Sequence, residues 1–369
     1  MGHPRIDLVV GTRPEAIKLA PVAFALSAAQ RPPRLLFTGQ HPLEPAAHGL
    51  DHFDRVTLDC PGRRDPIAHS DAVARAIAGR LADPPALLVV QGDTSSALGG
   101  AKAAYAAGVP IAHVEAGLRS FDPRMPWPEE QNRIAIDRLS TLLFAPTATS
   151  AANLRAAGVG GAISVTGNTG IDALFAVLER LGPAPPRPPG DRLRLLVTCH
   201  RRENWGRPML CVGAALNHLA RHERVAIKVV LHPNSAVAGA MSRALEPSPA
   251  IDLLAPLDHA GMIGEMRGAD VVMSDSGGVQ EEAPALGVPL LVLRDKTERP
   301  EGIASGNMIL VGTDRERIID AVRRLIDPAA RAALSRPSLP FGDGRSGPRI
   351  AAAMEKWIER QGGALRRTG

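Results

Sequence analysis

Short apolar runs alternate with amphipathic stretches along the whole chain, and this alternation constrains the fold more than any other feature of the sequence. Each apolar run is followed by a polar or glycine-bearing turn and then by helical spacing. In the first half, buried strands are predicted at residues 9–10, 34–37, 86–90, 110–114 and 141–144. This order is typical of a parallel sheet covered by helices on both faces, and it predicts an α/β fold of the doubly wound, Rossmann-like kind.

A proline-rich segment interrupts this alternation once. Residues 181–190 read Leu-Gly-Pro-Ala-Pro-Pro-Arg-Pro-Pro-Gly, the composition of a semi-rigid linker. The alternation then restarts, with strands predicted at 193–197, 226–231, 270–273 and 289–293. A chain of 369 residues is also longer than one hydrophobic core usually supports. We therefore expect two doubly wound Rossmann-like domains facing across a cleft: an N-terminal domain at 1–180, a hinge at 181–190, a C-terminal domain at 191–345, and a C-terminal helix within 346–369 that packs back across the domains.

The distribution of charge and apolar residues excludes several classes of protein. The arginines behind the net charge of +5 are scattered, whereas a nucleic-acid binder collects them in a stripe with interleaved aromatics, so we expect no nucleic-acid partner. No apolar run approaches the roughly eighteen residues that span a bilayer, and no signal region precedes the strand predicted at 6–10. The three cysteines lie outside any CxxC spacing. These features favour a reduced, cytoplasmic enzyme without membrane association.

The turn after the first predicted strand carries two cations. It reads Gly-Thr-Arg-Pro-Glu-Ala-Ile-Lys over residues 11–18, so that Arg13 and Lys18 stand near a helix N-terminus, where free N–H groups already favour an anion. A solvated basic turn is the alternative interpretation. The turn is not a GxGxxG motif, so the sequence does not indicate a dinucleotide cofactor.

Three carboxylates follow later strands of the first half. Asp93 and Glu115 each come directly after a predicted strand, and Glu129 follows the Trp127-Pro128 pair. Each has a structural alternative, because Asp93 could cap a helix and Glu129 could favour a helix N-terminus. Since parallel strands end at one edge of a sheet, Asp93 and Glu115 should open onto the same face. Converging carboxylates perturb each other's pKa, which separates acid and base roles.

The first strand of the second half leads into Cys199-His200-Arg201-Arg202. Adjacent strand residues point to opposite faces, which disfavours a nucleophilic dyad of Cys199 with His200. We instead interpret His200 and the two arginines as a cluster that faces phosphate.

The segment Ser276-Gly277-Gly278 joins a predicted strand to a predicted helix. Residues without side chains let backbone N–H groups approach a diphosphate at the helix N-terminus. One turn further, Glu281 or Glu282 could accept hydrogen bonds from the vicinal hydroxyls of a ribose. An ordinary tight turn would explain the glycines but not the acidic pair beside a bound anion.

Together these turns resemble those of the non-hydrolysing UDP-N-acetylglucosamine 2-epimerases, a family with the GT-B fold. The similar segments lie in family order between residues 11 and 313 and read GTRPEAIKLAPV, QGDTSSAL, HVEAGLRS, PWPEEQNR, TGNTGIDAL, CHRRENWGR, SDSGGVQEEAPALGVPLLVLRDKTERPE and VGT. The resemblance implies a UDP-sugar substrate, a C-terminal domain that binds UDP, and a homodimer.

The resemblance also implies a role for each matching residue. Asp93, Glu115 and Glu129 would supply the acid–base chemistry, with His200 beside them. The residues that would bind the UDP-sugar are Arg13, Lys18, Arg119, Arg133, His200, Arg201, Ser276, Gly277, Gly278, Glu282 and Arg299. Among them, Glu282 would hold the ribose.

The implied reaction is reversible epimerisation at carbon 2 of UDP-N-acetylglucosamine to UDP-N-acetylmannosamine, which feeds cell-surface polysaccharide synthesis. Carbon 2 has no adjacent carbonyl, so its proton becomes acidic only as the anomeric C–O bond breaks. Elimination then gives a glycal and UDP, and re-addition inverts carbon 2. This chemistry needs positioned carboxylates and a clamp for the diphosphate. It needs no redox cofactor, and no His, Cys and carboxylate cluster has metal-ligand spacing, so we expect neither a cofactor nor a metal.

Three alternative functions stay open at this point. A GT-B glycosyltransferase needs an acceptor pocket and only one general base, so three carboxylates favour the epimerase. A non-catalytic nucleotide-sugar sensor would have lost those carboxylates. An epimerase for a modified UDP-sugar, such as a diacetamido uronic acid, fits the same residues equally well.

Two segments depart from the family pattern. After His41 the chain has Pro42 and Pro45 among Leu, Glu and Ala, and residues 61–66 read Pro-Gly-Arg-Arg-Asp-Pro. In many bacterial members these regions help to form a second substrate-binding site. Prolines remove N–H donors and restrict the backbone, so we expect this second site to be lost or altered.

Overall fold

The computed structural model describes residues 4–184 and 192–365. The chain divides into two compact units, of which unit 1 comprises Met1–Ala173 and Phe341–Gly369 and unit 2 comprises Leu174–Pro340. Most of the expected hinge, residues 185–190, lies outside the described residues. In the described ranges, no helix combines the length and the apolar composition needed to cross a membrane.

In the part of the chain that the structure describes, unit 1 is built around seven strands. These are β1 Ile6–Val10, β2 Arg34–Phe37, β3 Arg55–Thr57, β4 Leu87–Gln91, β5 Ile111–Val114, β6 Leu142–Ala145 and β7 Ala162–Val165. The helices between them are α1 Arg13–Ala28, a 3-10 helix Pro45–His48, α2 Pro66–Ala78, α3 Ser95–Ala106, α4 Glu129–Leu139, α5 Ala148–Ala156 and α6 Thr169–Leu181, and the division between the units falls within α6.

The sheet of unit 1 has the order β3-β2-β1-β4-β5-β6-β7, and all neighbouring strands are parallel. Successive side chains of β1 enter different cores. Leu8 and Val10 pack in a core with α1, whereas Val9 packs in a second core with α2 and α3. Burial on both faces explains why the central strands read as continuous apolar runs.

Unit 2 repeats this architecture, with six strands among its described residues. These are β8 Leu193–Thr198, β9 Val225–Val230, β10 Ile251–Leu254, β11 Val271–Ser274, β12 Leu290–Val292 and β13 Met308–Leu310. The helices are a 3-10 helix Arg202–Asn204, α7 Arg207–His222, α8 Ser235–Ala244, α9 His259–Gly268, α10 Gly277–Leu286, α11 Pro300–Ala304, α12 Arg315–Ile326 and α13 Pro328–Leu334.

The sheet of unit 2 has the order β10-β9-β8-β11-β12-β13, again with parallel neighbours. Leu195 and Val197 of β8 pack with α7 and α12, and Leu196 packs with α9 and α10 on the opposite face. The prediction of two parallel sheets with helices on both faces is therefore confirmed.

The last helix, α14, spans Ser346–Leu365 and belongs to unit 1, where it packs on α1. Ile350, Met354 and Ile358, spaced one turn apart, enter the same core as α1. Gly347 allows this close approach, because an added Cβ would lie 2.6 Å from the carbonyl oxygen of Pro21.

Candidate functional site

Ligands of open α/β sheets bind at the carboxyl ends of strands where the strand order reverses. In unit 1 the order reverses between β1 and β4, and in unit 2 it reverses between β8 and β11. The four turns that follow these strands are residues 11–12, 92–94, 199–201 and 275–276. Seven of the fourteen predicted site residues lie in these turns or in the first turns of α1 and α10 that follow.

Glu115 is held by three polar side chains in unit 1. Lys18 Nζ donates to both carboxylate oxygens of Glu115 at 2.8 Å, Gln91 Nε2 donates to Oε2, and Asn168 Nδ2 lies 3.4 Å from Oε1. Glu115 is only 8% exposed, and its φ of 69° lies in the left-handed region. Such a conformation costs a non-glycine residue about 1–3 kcal/mol and is concentrated at functional sites. Lys18, expected at the diphosphate, thus has a carboxylate partner within unit 1.

Asp93 follows β4 and is held by α4. Arg133 Nη2 lies 2.5 Å from Asp93 Oδ2, and Asn132 Nδ2 donates to the backbone oxygen of Asp93 at 2.8 Å. The side chain of Asp93 remains 26% exposed. It does not cap α3, because Thr94 is the N-cap residue and its Oγ1 accepts from the Ala97 amide. The structural alternative for Asp93 is therefore excluded.

Glu129 and Glu130 begin α4 but differ in their environment. Glu130 is buried and accepts the backbone amides of residues 120–121 at 3.0 and 3.1 Å, which is a structural role. Glu129 is half-buried. It precedes Arg133 by four residues, so that both lie on the face of α4 that contacts Asp93.

Two arginines that were expected to bind substrate lie inside unit 1. Arg119 and Arg133 are 8% and 3% exposed. The guanidinium of Arg119 lies 2.6 Å from Asp137, and that of Arg133 pairs with Asp93. In contrast, Arg13 is the first residue of α1 and its side chain is exposed.

Glu15 is a buried carboxyl group in the first turn of α1. It accepts the Gly11 amide at 3.0 Å, the Thr12 hydroxyl at 2.8 Å and the Thr94 hydroxyl at 2.7 Å. Burial raises the pKa of Glu15 to about 7, and the hydrogen bonds from Thr94, Thr12 and Gly11 oppose this rise. Glu15 thereby links the turns that follow β1 and β4.

In unit 2, Asp275 joins the turns after β8 and β11. Its carboxylate is fully buried and accepts the backbone amides of His200 and Arg201 at 2.9 Å and the side-chain amide of Asn204 at 2.8 Å. The ring of His200 lies 5.4 Å from that of His232, centroid to centroid. Asp275 therefore fixes the backbone of the predicted phosphate cluster.

The environment of Cys199 does not suit a nucleophile. Burial raises the pKa of its thiol far above the ordinary value, and the charge of Asp275 raises it further. This agrees with the expectation that Cys199 does not form a nucleophilic dyad with His200.

The helix α10 begins with Gly277 and Gly278, after Ser276 at the N-cap position. An added Cβ on Gly277 would meet the guanidinium of Arg299 at 3.1 Å, so this glycine makes room for the arginine. An added Cβ on Gly278 would meet no atom within 4 Å. First-turn amides of a helix lack intrahelical acceptors, so open space beside Gly278 suits an anionic ligand.

The two acidic residues of α10 have different partners. Arg299 Nε donates to Glu281 Oε1 at 2.7 Å, and Glu281 is 1% exposed. Glu282 Oε1 lies 2.7 Å from Nε2 of His259, the first residue of α9. Glu281 thus positions Arg299, which leaves Glu282 as the candidate for a ribose.

Sequence reasoning assigned no role to several polar residues beside the predicted ones, including the buried Glu15, His113 and Asp275 and the half-buried His259. Glu15 and Asp275 lie inside the segments quoted above and have no exposed surface. A buried charge requires partners, but the partners come from distant parts of the chain. Within the described ranges, no group of three or more His, Cys, Asp or Glu side chains is arranged to hold a metal ion.

Comparison with known proteins agrees with this geometry. A model of the family described as UDP-N-acetylglucosamine 2-epimerase matches residues 30–355. A relative from Escherichia coli K12, named UDP-N-acetylglucosamine 2-epimerase, is 38% identical over 376 residues, which cover 95% of this chain and 98% of the relative.

Solved structures similar to this chain are also UDP-GlcNAc 2-epimerases. The Neisseria meningitidis UDP-GlcNAc 2-epimerase bound to UDP-GlcNAc is 32% identical with a TM-score of 0.89, over 95% of this chain and 100% of that one. The Methanocaldococcus jannaschii UDP-GlcNAc 2-epimerase in complex with UDP-GlcNAc and UDP is 31% identical with a TM-score of 0.84, over 95% and 99%. The chain therefore belongs to the UDP-N-acetylglucosamine 2-epimerase family and is an α/β epimerase with the GT-B fold.

Proposed function

We propose that this enzyme interconverts UDP-N-acetylglucosamine and UDP-N-acetylmannosamine by eliminating UDP and adding it again to a glycal. The observation that carries the proposal is the pair of carboxylates at the ends of adjacent strands, Asp93 paired with Arg133 and Glu115 paired with Lys18. The buried cation beside each carboxylate fixes the position of that carboxylate through a charge-assisted contact.

In the proposed reaction, a carboxylate removes the carbon 2 proton while the anomeric C–O bond breaks. The bonding electrons of that C–O bond leave with UDP, and a C1–C2 double bond forms. A second acid then returns a proton to the opposite face of carbon 2 as UDP adds again to carbon 1. Asp93, Glu115 and Glu129 are the candidates for these proton transfers.

The departing diphosphate needs a site of positive potential. The N-terminus of α10 at Ser276, Gly277 and Gly278 is suited to bind it, because first-turn amides and the helix dipole favour anions. We assign His200 and Arg201 to the same diphosphate and Glu282 to the ribose. Arg13, Lys18, Arg119, Arg133 and Arg299 complete the proposed substrate-binding set, with the buried arginines acting through their carboxylate partners.

We further propose a cytoplasmic homodimer that needs no cofactor and supplies an activated sugar for cell-surface polysaccharide. Sedimentation of the purified protein measures the oligomeric state. An epimerase for a diacetamido uronic acid would use the same carboxylates, so the choice of sugar is part of the test below.

The first experiment follows UDP-N-acetylglucosamine in deuterium oxide by nuclear magnetic resonance, without any acceptor. We expect UDP-N-acetylmannosamine to appear with deuterium at carbon 2, because the removed proton exchanges with solvent. Full retention of the original hydrogen would contradict the elimination route. Turnover only with the diacetamido uronic acid derivative would assign the modified sugar instead, and no turnover without an acceptor would favour a transferase.

A second set of variants separates proton transfer from UDP binding. Amide replacement of Asp93, Glu115 or Glu129 should lower kcat by roughly 10²-fold or more.

The variant Gly278→Ala adds a methyl group that would meet no protein atom within 4 Å. It should weaken UDP binding by about tenfold or more, because the methyl group occupies the space of the ligand. The matched control is Gly264→Ala in α9, where an added Cβ also meets nothing within 4 Å. Unchanged UDP affinity in Gly278→Ala would contradict the assignment of the diphosphate to the N-terminus of α10.

A further inference from the structure

We propose that His113 is a positioning residue that fixes the turn carrying Asp93 through a hydrogen bond from its Nε2 atom to the backbone of that turn. The inference rests on the proposed role of Asp93 in proton transfer. His113 lies on β5, whereas Asp93 follows the neighbouring strand β4. The His113 side chain has no exposed surface and does not belong to the residues assigned to substrate.

The first contact of His113 is with the backbone of the Asp93 turn. Its Nε2 atom lies 2.8 Å from the carbonyl oxygen of Gly92. A carbonyl oxygen only accepts hydrogen bonds, so Nε2 must carry a proton and donate it. Because the pair is buried, loss of this donor would leave the Gly92 carbonyl without its side-chain partner.

The second contact is with a carboxylate of α4. Nδ1 of His113 lies 2.8 Å from Oδ1 of Asp137, and the other oxygen of Asp137 lies 2.6 Å from the Arg119 guanidinium. Asp137 thus connects Arg119 to the His113 ring. Because both ring nitrogens have a partner, the orientation of the ring is fixed, and with it the direction in which Nε2 donates.

The backbone of the turn depends on these contacts. Gly92 adopts a φ of +66°, which suits glycine, and its amide donates to the Val114 oxygen at 3.0 Å. His113 holds the Gly92 carbonyl, and α4 holds the Asp93 carbonyl through Asn132. With both carbonyls fixed, the direction in which the Asp93 carboxylate leaves the turn is also fixed.

The same contacts exclude His113 from direct proton transfer to substrate, because neither ring nitrogen is available. Its effect on the reaction must pass through the position of Asp93. Misplacing a catalytic group by about 1 Å lowers the rate by up to roughly 10²-fold. Binding of UDP, which we assign largely to unit 2, should not depend on it.

Two substitutions separate the two ring contacts. The amide nitrogen of Gln lies near the position of Nε2, and that of Asn lies near the position of Nδ1. His113→Gln should therefore keep the Gly92 contact and retain kcat within about threefold, whereas His113→Asn should lower kcat by about 10- to 100-fold with the UDP affinity unchanged. Equal losses in both variants would overturn the role of the Gly92 contact.

A double-mutant cycle tests whether the effect passes through Asp93. In an Asp93→Asn background, His113→Asn should change kcat by less than about threefold, because the group that it positions is already inactive. Independent, multiplicative losses would overturn the inference. If Asp93→Asn alone retained the kcat of the wild type, the proposed role of Asp93 would fail instead, so the two failures are distinguishable.

A measurement on the unaltered protein needs no variant to fold. In the enzyme labelled with nitrogen-15 in histidine, the Nε2–H group of His113 should give a resonance that exchanges slowly with solvent because the ring is buried. A His113 ring without a proton on Nε2 would overturn the inference.

Discussion

At the scale of single residues, Glu15 makes the stability of the enzyme depend on pH. Its pKa rises from the ordinary 4.5 to about 7 because the carboxyl group is buried. Between pH 4.5 and about 7, Glu15 keeps its proton in the folded chain but has released it in the unfolded chain. By linkage, the contribution of Glu15 to the free energy of unfolding falls as pH rises from about 4.5 to about 7, and stays constant above that range.

Replacing Glu15 with Gln should remove this dependence. The amide cannot ionise, yet it can still accept from Gly11. Between pH 5 and 8, the wild type should lose roughly 3 kcal/mol more unfolding free energy than Glu15→Gln, as measured by urea unfolding. Thr94→Val removes a hydroxyl that lowers the pKa of Glu15, so it should move the upper end of the range to higher pH. Identical pH dependence in Glu15→Gln and wild type would contradict this account.

At the scale of elements, one carboxylate anchors the last helix. Asp172 Oδ1, in the first turn of α6, accepts the Gly347 amide at the start of α14 at 2.7 Å. At this position the carboxylate accepts a hydrogen bond from a first-turn amide of α14 that has no intrahelical acceptor. Its negative charge also interacts favourably with the positive end of the α14 dipole. Asp172→Ala should lower the free energy of unfolding of unit 1 by about 1–2 kcal/mol, and Asp172→Asn by less because the amide oxygen still accepts.

Hydrogen exchange resolved along the chain measures this effect. The amides of α14 should exchange faster in Asp172→Ala, while those of α12 in unit 2 should not change. Asp343→Ala is the matched control, because the ion pair of Asp343 with Arg349 lies on the surface and should contribute little. Unchanged protection of α14 in Asp172→Ala would show that apolar packing on α1 alone holds the helix.

At the scale of the whole molecule, the two atypical segments bear on regulation by substrate. Asp65 caps α2 by accepting the Ile67 amide at 2.9 Å, and Pro66 is the first residue of that helix. Pro45 begins a 3-10 helix. These residues have roles in local structure. The expectation that the second substrate site is lost or altered rests on the sequence of the two segments and stays a prediction.

We therefore expect UDP-N-acetylmannosamine alone to turn over without a lag. Progress curves that start from pure UDP-N-acetylmannosamine measure this directly, with curves that start from UDP-N-acetylglucosamine as the control. A lag that disappears on adding a trace of UDP-N-acetylglucosamine would show that a second site persists and is formed by other residues.

Prediction of the fold succeeded for the central strands and missed the edges. The strands β3, β7, β10 and β13 lie at the edges of the two sheets. They are short, and much of each is exposed or only half-buried. An edge strand covered on one side lacks the continuous apolar run that marks a strand buried on both faces. Periodicity therefore detected the interior of each sheet but not its limits.

The candidate site was predictable as a set of turns but not as a set of contacts. Lys18 and Glu115 are 97 positions apart in the chain, and Arg133 lies 40 positions from Asp93. Nothing local indicates these pairs, since they follow from the order of β1, β4 and β5 in the sheet. For the same reason, Lys18 was expected beside a diphosphate rather than beside Glu115.

By itself the sequence determined the alternation of strands and helices, its restart after the proline-rich segment, and the polar residues of each turn, because all three depend on spacing along a short stretch of chain. Only the tertiary structure decided which cation pairs with which carboxylate, that α14 packs on α1, and that His113 and Asp275 hold the turns of the site. These features depend on which strands become neighbours, and that choice minimises the free energy of the whole fold rather than of any one segment.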